Sequence, residues 1–233
     1  MLVSAKDLRG YSIRATDGNA GSVQELYFDD ESWEVRYIVA KAGGLIANRR
    51  VLIVPESVEG TDRDARAVHV CLTEKQVRQA PGATSDLPVA DREEFARLDG
   101  RGAYPYWGNG WEAAGAGPVY AGPYVPYGTA REEPPREEQG DPHLRSTKEV
   151  EGYGVRAVDV GVGHVEDFVV DEEGWEIRHI VVDTRDWLPG KKVLVSSDWI
   201  SAVSWPQKAV YVDLTKDEVK SAPEWDPDTS PGR

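Results

Sequence analysis

Shifting the 233-residue chain against itself by 142 positions aligns Ser4–Pro81 with Ser146–Pro223 without a gap, and about a third of the aligned positions are identical. Gly10-Tyr11 returns as Gly152-Tyr153, Asp17 as Asp159 and Gly21 as Gly163. Trp33-Glu34-Val35-Arg36 returns as Trp175-Glu176-Ile177-Arg178, and Leu72-Thr73 as Leu214-Thr215. One domain is written twice. The division is residues 1–81 as the first copy, 82–145 as a linker, 146–223 as the second copy and 224–233 as a tail. Copies this short sit near the lower limit for an independent core, so burial of one against the other predicts an intramolecular pseudo-twofold pair.

Within each copy the pattern is mainly β. Tyr11–Thr16, Ser22–Phe28, Trp33–Lys41, Arg50–Val54 and Ala67–Leu72 read as short strands, with Asp17-Gly18-Asn19 as a turn and Asp29–Ser32 as a hairpin tip. Strict alternation places Trp33, Val35, Tyr37 and Val39 on one face, and Trp175, Ile177, His179 and Val181 repeat that face. Five or six such strands favour two small antiparallel β-barrels, because closure removes exposed edges. Helices are short and terminal. Ser4 and Ser146 read as N-caps, while Thr73 with Gln76 and Thr215 with Glu218 fit capping boxes before Pro81 and Pro223.

The linker changes composition. Seven of the chain's 21 aromatic residues lie between Tyr104 and Tyr127, among glycines and prolines without strand or helix period. Two readings stay open: these rings dock on the barrels or lie partly disordered, or they form a segment recognised by another protein. Arg92–Leu98 reads as a short helix and Glu132–Glu138 as extended.

The succession Gly10-Tyr-Ser-Ile-Arg14, Asp17-Gly-Asn-Ala-Gly-Ser-Val23, Trp33-Glu-Val-Arg-Tyr-Ile-Val39 and Val51-Leu-Ile-Val-Pro55 resembles the PRC-barrel domain. The second copy resembles it too, through Gly163-His-Val165 and Val193-Leu-Val-Ser-Ser197. That domain is named for the cytoplasmic part of the photosynthetic reaction-centre H subunit and occurs in ribosome maturation factors. The resemblance implies a small β-barrel used for assembly and protein contacts, with no catalytic residues to carry over. The chain departs from the H subunit in lacking its transmembrane helix, and from the maturation factors in lacking their separate N-terminal domain. It looks closer to standalone bacterial and archaeal PRC-barrel proteins, some of them linked to stress.

The longest apolar runs are a few residues, short of the roughly 20 that a spanning helix needs, and the N-terminus reaches charged residues at once. A cytoplasmic location is expected. The net charge of -14 disfavours nonspecific binding to nucleic acid or anionic lipid. The basic step Arg49-Arg50, repeated as Lys191-Lys192, is too small for an RNA groove.

Signals for chemistry are weak. His69, His143, His164 and His179 do not recur between copies or stand at metal-ligand spacing, so no metal and no cofactor is expected. The single cysteine, Cys71, reads as a small buried strand residue. Asp29-Asp-Glu31 and Asp171-Glu-Glu173 recur without EF-hand spacing and read as solvated tips. Glu34 with Arg36, and Glu176 with Arg178, read as same-face ion pairs. Pro189-Gly-Lys-Lys192 mimics the tail of a phosphate loop but lacks its earlier glycine.

Trp187, Trp199 and Trp205 stand where the first copy has Leu45, Ser57 and Arg63. Such concentration points to an apolar contact with the sister barrel or a partner. The reading is a non-enzymatic scaffold or adaptor whose partner-binding residues are Trp187, Trp199 and Trp205, together with linker Trp107 and Trp111. The expected partners are proteins or a second copy of the chain. The alternatives are an accessory of an electron-transfer or membrane-associated assembly and, further off, an RNA- or ribosome-associated factor. An enzyme would need a cleft between the barrels with paired acids such as Glu34 and Glu176.

Overall fold

The computed structural model describes residues 1–43, 49–83, 88, 141–184 and 191–226. The first copy runs β1 (Leu2–Ser4), α1 (Ala5–Leu8), β2 (Ser12–Ala15), β3 (Gly18–Asp29), β4 (Val35–Ala42), β5 (Arg49–Ile53), β6 (Val58–Asp62), β7 (Ala67–Val70) and α2 (Glu74–Gln79). A single 3-10 turn, Pro55–Ser57, joins β5 to β6. The second copy repeats the series as β8 (Leu144–Ser146), α3 (Thr147–Val150), β9 (Gly154–Arg156), β10 (Gly161–Asp171), β11 (Glu176–Asp183), β12 (Lys192–Ser196), β13 (Ile200–Ser204), β14 (Ala209–Val212) and α4 (Lys216–Ser221). Its 3-10 turn is Ser197–Trp199.

The strands form two seven-stranded sheets, each on the path β5-β4-β3-β2-β7-β6 or its equivalent. Pairing is antiparallel except between β2 and β7 and between β9 and β14, which run parallel. The two ends of each path, β5 and β6 or β12 and β13, do not pair with each other, so the hydrogen-bond ladder stays open at a seam. At the β5 end the chain after α2 covers the edge. Leu52 N–H donates to Pro81 O at 2.8 Å and Ala83 N–H to Arg50 O at 3.0 Å, and Leu194, Pro223, Trp225 and Lys192 repeat the arrangement. The tail therefore begins as sheet: Trp225 packs on the outer face beside Val169, Val181 and Leu194.

The seventh strand of each sheet comes from the other copy. Leu2, Val3 and Ser4 pair with Asp171, Val170 and Val169, and Leu144, Arg145 and Ser146 pair with Asp29, Phe28 and Tyr27. This reciprocal exchange makes the copies one pseudo-twofold body, and one buried apolar cluster runs through both, from Leu8, Phe28 and Trp33 to Phe168, Trp175 and Ile177.

Both hairpins are bulged. Tyr27 faces Tyr37 and Phe28 faces Val35, which leaves Arg36 unmatched, and Arg178 is skipped in the same way. An extra residue flips the faces beyond it. Trp33 and Val35 enter the shared core with Ile38, Ala40 and Ala42, whereas Tyr37 and Val39 lie on the opposite face with Tyr27 and Leu52. The strict alternation expected over 33–39 is thus interrupted at Arg36. Cys71 is a second correction: it is exposed, because β7 buries Val68 and Val70 and the alternation turns His69 and Cys71 outward.

The helix caps form as the sequence reads. Ser4 and Ser146 accept from Asp7 N–H and Glu149 N–H, and both predicted capping boxes are closed. The recurring aspartates have a matching role. Asp17 accepts from Glu74 N–H at 2.6 Å and Asp159 from Lys216 N–H at 3.0 Å, tying the β2–β3 and β9–β10 turns to helix N-termini. Arg92–Leu98 lies outside the described residues.

Candidate interaction surface

The contact between copies is organised around positions that meet their own counterparts. Glu34 and Glu176, the same position in each copy, face each other in an antiparallel bridge. Around it Val35 N–H donates to Trp175 O at 2.7 Å and Ile177 N–H to Trp33 O at 2.8 Å. Both tryptophans adopt left-handed backbone, φ 62° at Trp33 and 49° at Trp175, unusual for a bulky residue. Packing holds them there: both are buried, and Trp33 stacks on Phe28 at 5.3 Å between ring centroids. Phe28 in turn meets Phe168 of the other copy at 5.5 Å.

The exchanged strands are anchored by buried acids at equivalent positions. Ser4 Oγ donates to Asp167, and Ser146 Oγ donates to Glu25. Lys6 N–H adds a bond to Asp167 at 3.1 Å, while Leu26 exchanges bonds in both directions with Thr147 Oγ1. Burial pushes the Asp167 carboxyl above its ordinary value, only partly opposed by bonds from Ser4, Phe168 N–H and Lys6 N–H. At the neighbouring Glu166, burial also works against the charge, but Lys192 and Lys6, both 3.0 Å away, outweigh it and hold that carboxyl low. Arg50 pairs with Glu25. The basic step singled out in sequence is thus committed to internal ion pairs at Arg50 and Lys192.

The acidic hairpin tips are structured rather than simply solvated. Asp29 accepts from Glu31 and Ser32 N–H at 2.9 Å each, and these bonds overcome burial to hold its carboxyl low. The Asp30 side chain is 7% exposed and lies 2.6 Å from Arg145 and 3.0 Å from His143, both from the exchanged segment. Burial raises the Asp30 carboxyl despite those cations, and the bond to Asp30 raises the His143 imidazole. His179, half-buried where the first copy has Tyr37, is pushed down by burial and then by Arg178. Of the two predicted same-face pairs, Glu176 and Arg178 meet at 3.0 Å. Among the described residues no group of three or more histidines, cysteines or carboxylates is placed to hold a metal ion.

The tryptophans predicted as partner contacts are placed differently from one another. Trp199 is 46% exposed on the Ser197–Trp199 turn. Trp205 is half-buried against the shared core. Trp187, Trp107 and Trp111 lie outside the described residues. Val158 and Val160 are also exposed, at 67% and 46%, where the first copy has Thr16 and Gly18. Backbone bonds bring these segments near each other: Val158 N–H donates to Leu214 O and the adjacent Asp213 N–H to Trp199 O. The second copy thus exposes apolar side chains at three positions where the first has serine, threonine and glycine.

Two grooves cross the boundary between copies. One, of about 660 Å³, opens beside Lys6, Arg9, Lys148, Glu151, His164 and Glu166, so its charges are mixed. The other, of about 810 Å³, lies at the open seam of the first sheet, between β4, the Val54–Thr61 stretch and the second copy's tip at Glu172–Trp175. No sequence motif marks this second groove, since its walls come from four separate segments, Met1 included. No helix among the described residues is long and apolar enough to cross a membrane.

A search of curated proteins returns no match to this chain. The family model for the PRC-barrel domain matches residues 1–77 and 144–219, one match for each copy and well over half of the chain together. With the duplicated strand order, the open-seamed sheets and that double match, the chain belongs to the PRC-barrel domain family.

Proposed function

We propose that this tandem PRC-barrel protein is a non-enzymatic interaction scaffold or adaptor. The observation that carries the reading is the unequal dressing of two equivalent faces on one body. Trp199, Val158 and Val160 are exposed on the second copy where Ser57, Thr16 and Gly18 stand on the first. An exposed tryptophan beside other apolar side chains is the composition of a contact surface rather than of a solvated one. Two differentiated faces held at a fixed angle would let one chain bring two partners together.

The test is quantitative capture of partners by the tagged full-length protein from soluble and membrane fractions of its own cells. Trp199→Ser, which restores the first copy's residue, is the control; Trp205→Ala would disturb the core and is unsuitable. Loss of specific partners with Trp199→Ser supports the adaptor, and the fraction that holds them separates a cytosolic role from an accessory role at a membrane or electron-transfer assembly. Recovery of the same proteins by both baits removes the Trp199 face from the proposal.

A further inference from the structure

We infer that the groove at the seam of the first sheet receives an extended, cationic segment of a partner protein, added as a strand along β6. This rests on the scaffold reading and names a partner chemistry for a surface other than the Trp199 face. β6 pairs with β7 on one side, and among the described residues no strand pairs with its other side. Glu59 and Gly60 are exposed, and an atom added at Gly60 would meet nothing within 4 Å. The Thr61 Oγ1 is buried without a hydrogen-bond partner. An unpaired strand edge beside a groove is the geometry by which main-chain hydrogen bonds capture an extended peptide.

The charge of the groove selects the occupant. Glu34, Glu56, Glu59, Glu172 and Glu173 line it, against Arg36 and the Met1 ammonium, which is 3.7 Å from Glu173. Arg63 holds Glu172 at 3.3 Å. Glu34, Glu56 and Glu59 have no cationic partner among the described residues. Between these carboxylates lie Val54, which is 41% exposed, and half-buried Tyr37 and Val58. A strand shows alternate side chains to opposite sides. A segment alternating Lys or Arg with small apolar residues would therefore set its charges against the glutamates and its apolar side chains toward Val54 and Val58. The second copy does not repeat the site: Glu59, Gly60 and Thr61 become Ser201, Ala202 and Val203, and Ser57 becomes Trp199.

The experiment measures binding of a short capped peptide of alternating Lys and Val to the full chain by fluorescence anisotropy, with hydrogen exchange read on β6. The controls are an alternating Glu-Val peptide and a Lys-Val peptide interrupted by prolines, which cannot donate along a strand. The expected result is binding of the uninterrupted Lys-Val peptide alone, slowed exchange in Val58–Asp62, and affinity about tenfold weaker in Glu34→Gln/Glu56→Gln/Glu59→Gln, the scale of three exposed ion pairs. Equal binding of the proline-interrupted peptide, unchanged affinity in the triple variant, protection elsewhere, or no binding each overturns the inference. The triple variant is also used as bait: if it captures the same partners as the unchanged protein, the groove fails and the scaffold reading stands.

Discussion

Arg9 and Glu151 occupy the same position in the two copies and hydrogen-bond each other across the pseudo-twofold axis, Arg9 Nη1 to Glu151 Oε2 at 3.0 Å. In a symmetric dimer an axial residue meets its own copy, so an arginine there would face an arginine. Duplication within one chain lets the two positions differ, and a repulsive self-contact becomes an attractive one. The pair is largely shielded, with side chains 25% and 17% exposed. Glu151→Gln is expected to lose about 1–2 kcal/mol of stability, and Arg9→Glu more, because it places two carboxylates together. The exchanged double variant Arg9→Glu/Glu151→Arg recovers most of the loss. A double-mutant cycle by urea denaturation checks this, and absence of recovery would show that the pair's geometry, not its charge, matters.

The shared core predicts one unfolding transition for both copies. Phe168 is fully buried and touches Phe28 of the other copy, so Phe168→Ala should cost about 3–5 kcal/mol and lower the stability of both sheets together. Calorimetry of the full chain should give a single peak in wild type and variant. Two separated peaks would mean that the exchange of β1 and β8 does not couple the sheets.

Three groups at the exchange make stability depend on pH, two in the acid range and one near neutral. Asp167 titrates above its ordinary value in the fold because it is buried. The native state therefore keeps this proton longer than the unfolded chain, and stability falls as pH rises between the ordinary value and the raised one. Asp30, raised chiefly by burial, acts with the same sign. Asp167→Asn should remove part of that acid-range slope. His143 is raised by its bond to Asp30, so its contribution is complete below the ordinary histidine value and is lost as pH rises through the native one. His143→Gln should flatten the slope near neutral pH and, by removing a charge that holds Asp30 down, add to the acid-range slope. Denaturation midpoints across pH, compared among the three proteins, check both signs.

Recurring glycines differ in what they tolerate. A Cβ at Gly21 would lie 2.1 Å from Lys41 O, on backbone with φ 146°, and Gly163 faces Asp183 O at the same distance. Gly21→Ala should cost about 2–4 kcal/mol, since main chain must move in a paired strand. Gly10 has φ 81° with nothing within 4 Å of an added Cβ, so Gly10→Ala should cost only the left-handed conformation, about 1–2 kcal/mol. Thermal denaturation of the two variants ranks them; an equal loss would contradict the contact argument.

The duplicated plan, the caps at Ser4, Thr73, Ser146 and Thr215, and five of the strands in each copy follow from local chemistry that repeats, and all are readable in the chain. The exchange is not. Leu2–Ser4 and Leu144–Ser146 are three-residue strands, too short to carry a period or to say which sheet they join. The bulges at Arg36 and Arg178 break the alternation by one residue without any compositional mark. β6 reads Val-Glu-Gly-Thr-Asp, polar because it is an edge, so it escapes a search for apolar alternation. Tryptophan enrichment pointed to the second copy, but exposure separates Trp199 from Trp205, and exposure depends on which neighbours the fold brings up. The seam groove joins residues from both copies and had no linear signature at all.

The exchange of first strands also sets an order of events during synthesis. When the ribosome has completed β7 and α2, the first sheet still lacks β8, and β1 has no partner sheet to join. Residues 84–143 must be translated before Leu144–Ser146 can complete that sheet, a delay on the order of seconds at about 5–20 residues per second. Through that interval the nascent chain exposes the Asp29–Tyr27 edge and the unclosed side of Phe28, so the half-made protein is the form most in need of a chaperone. The long linker lengthens that exposure; β8 ends it for the first sheet, and β1 finds its own place only later, when β10 has been made.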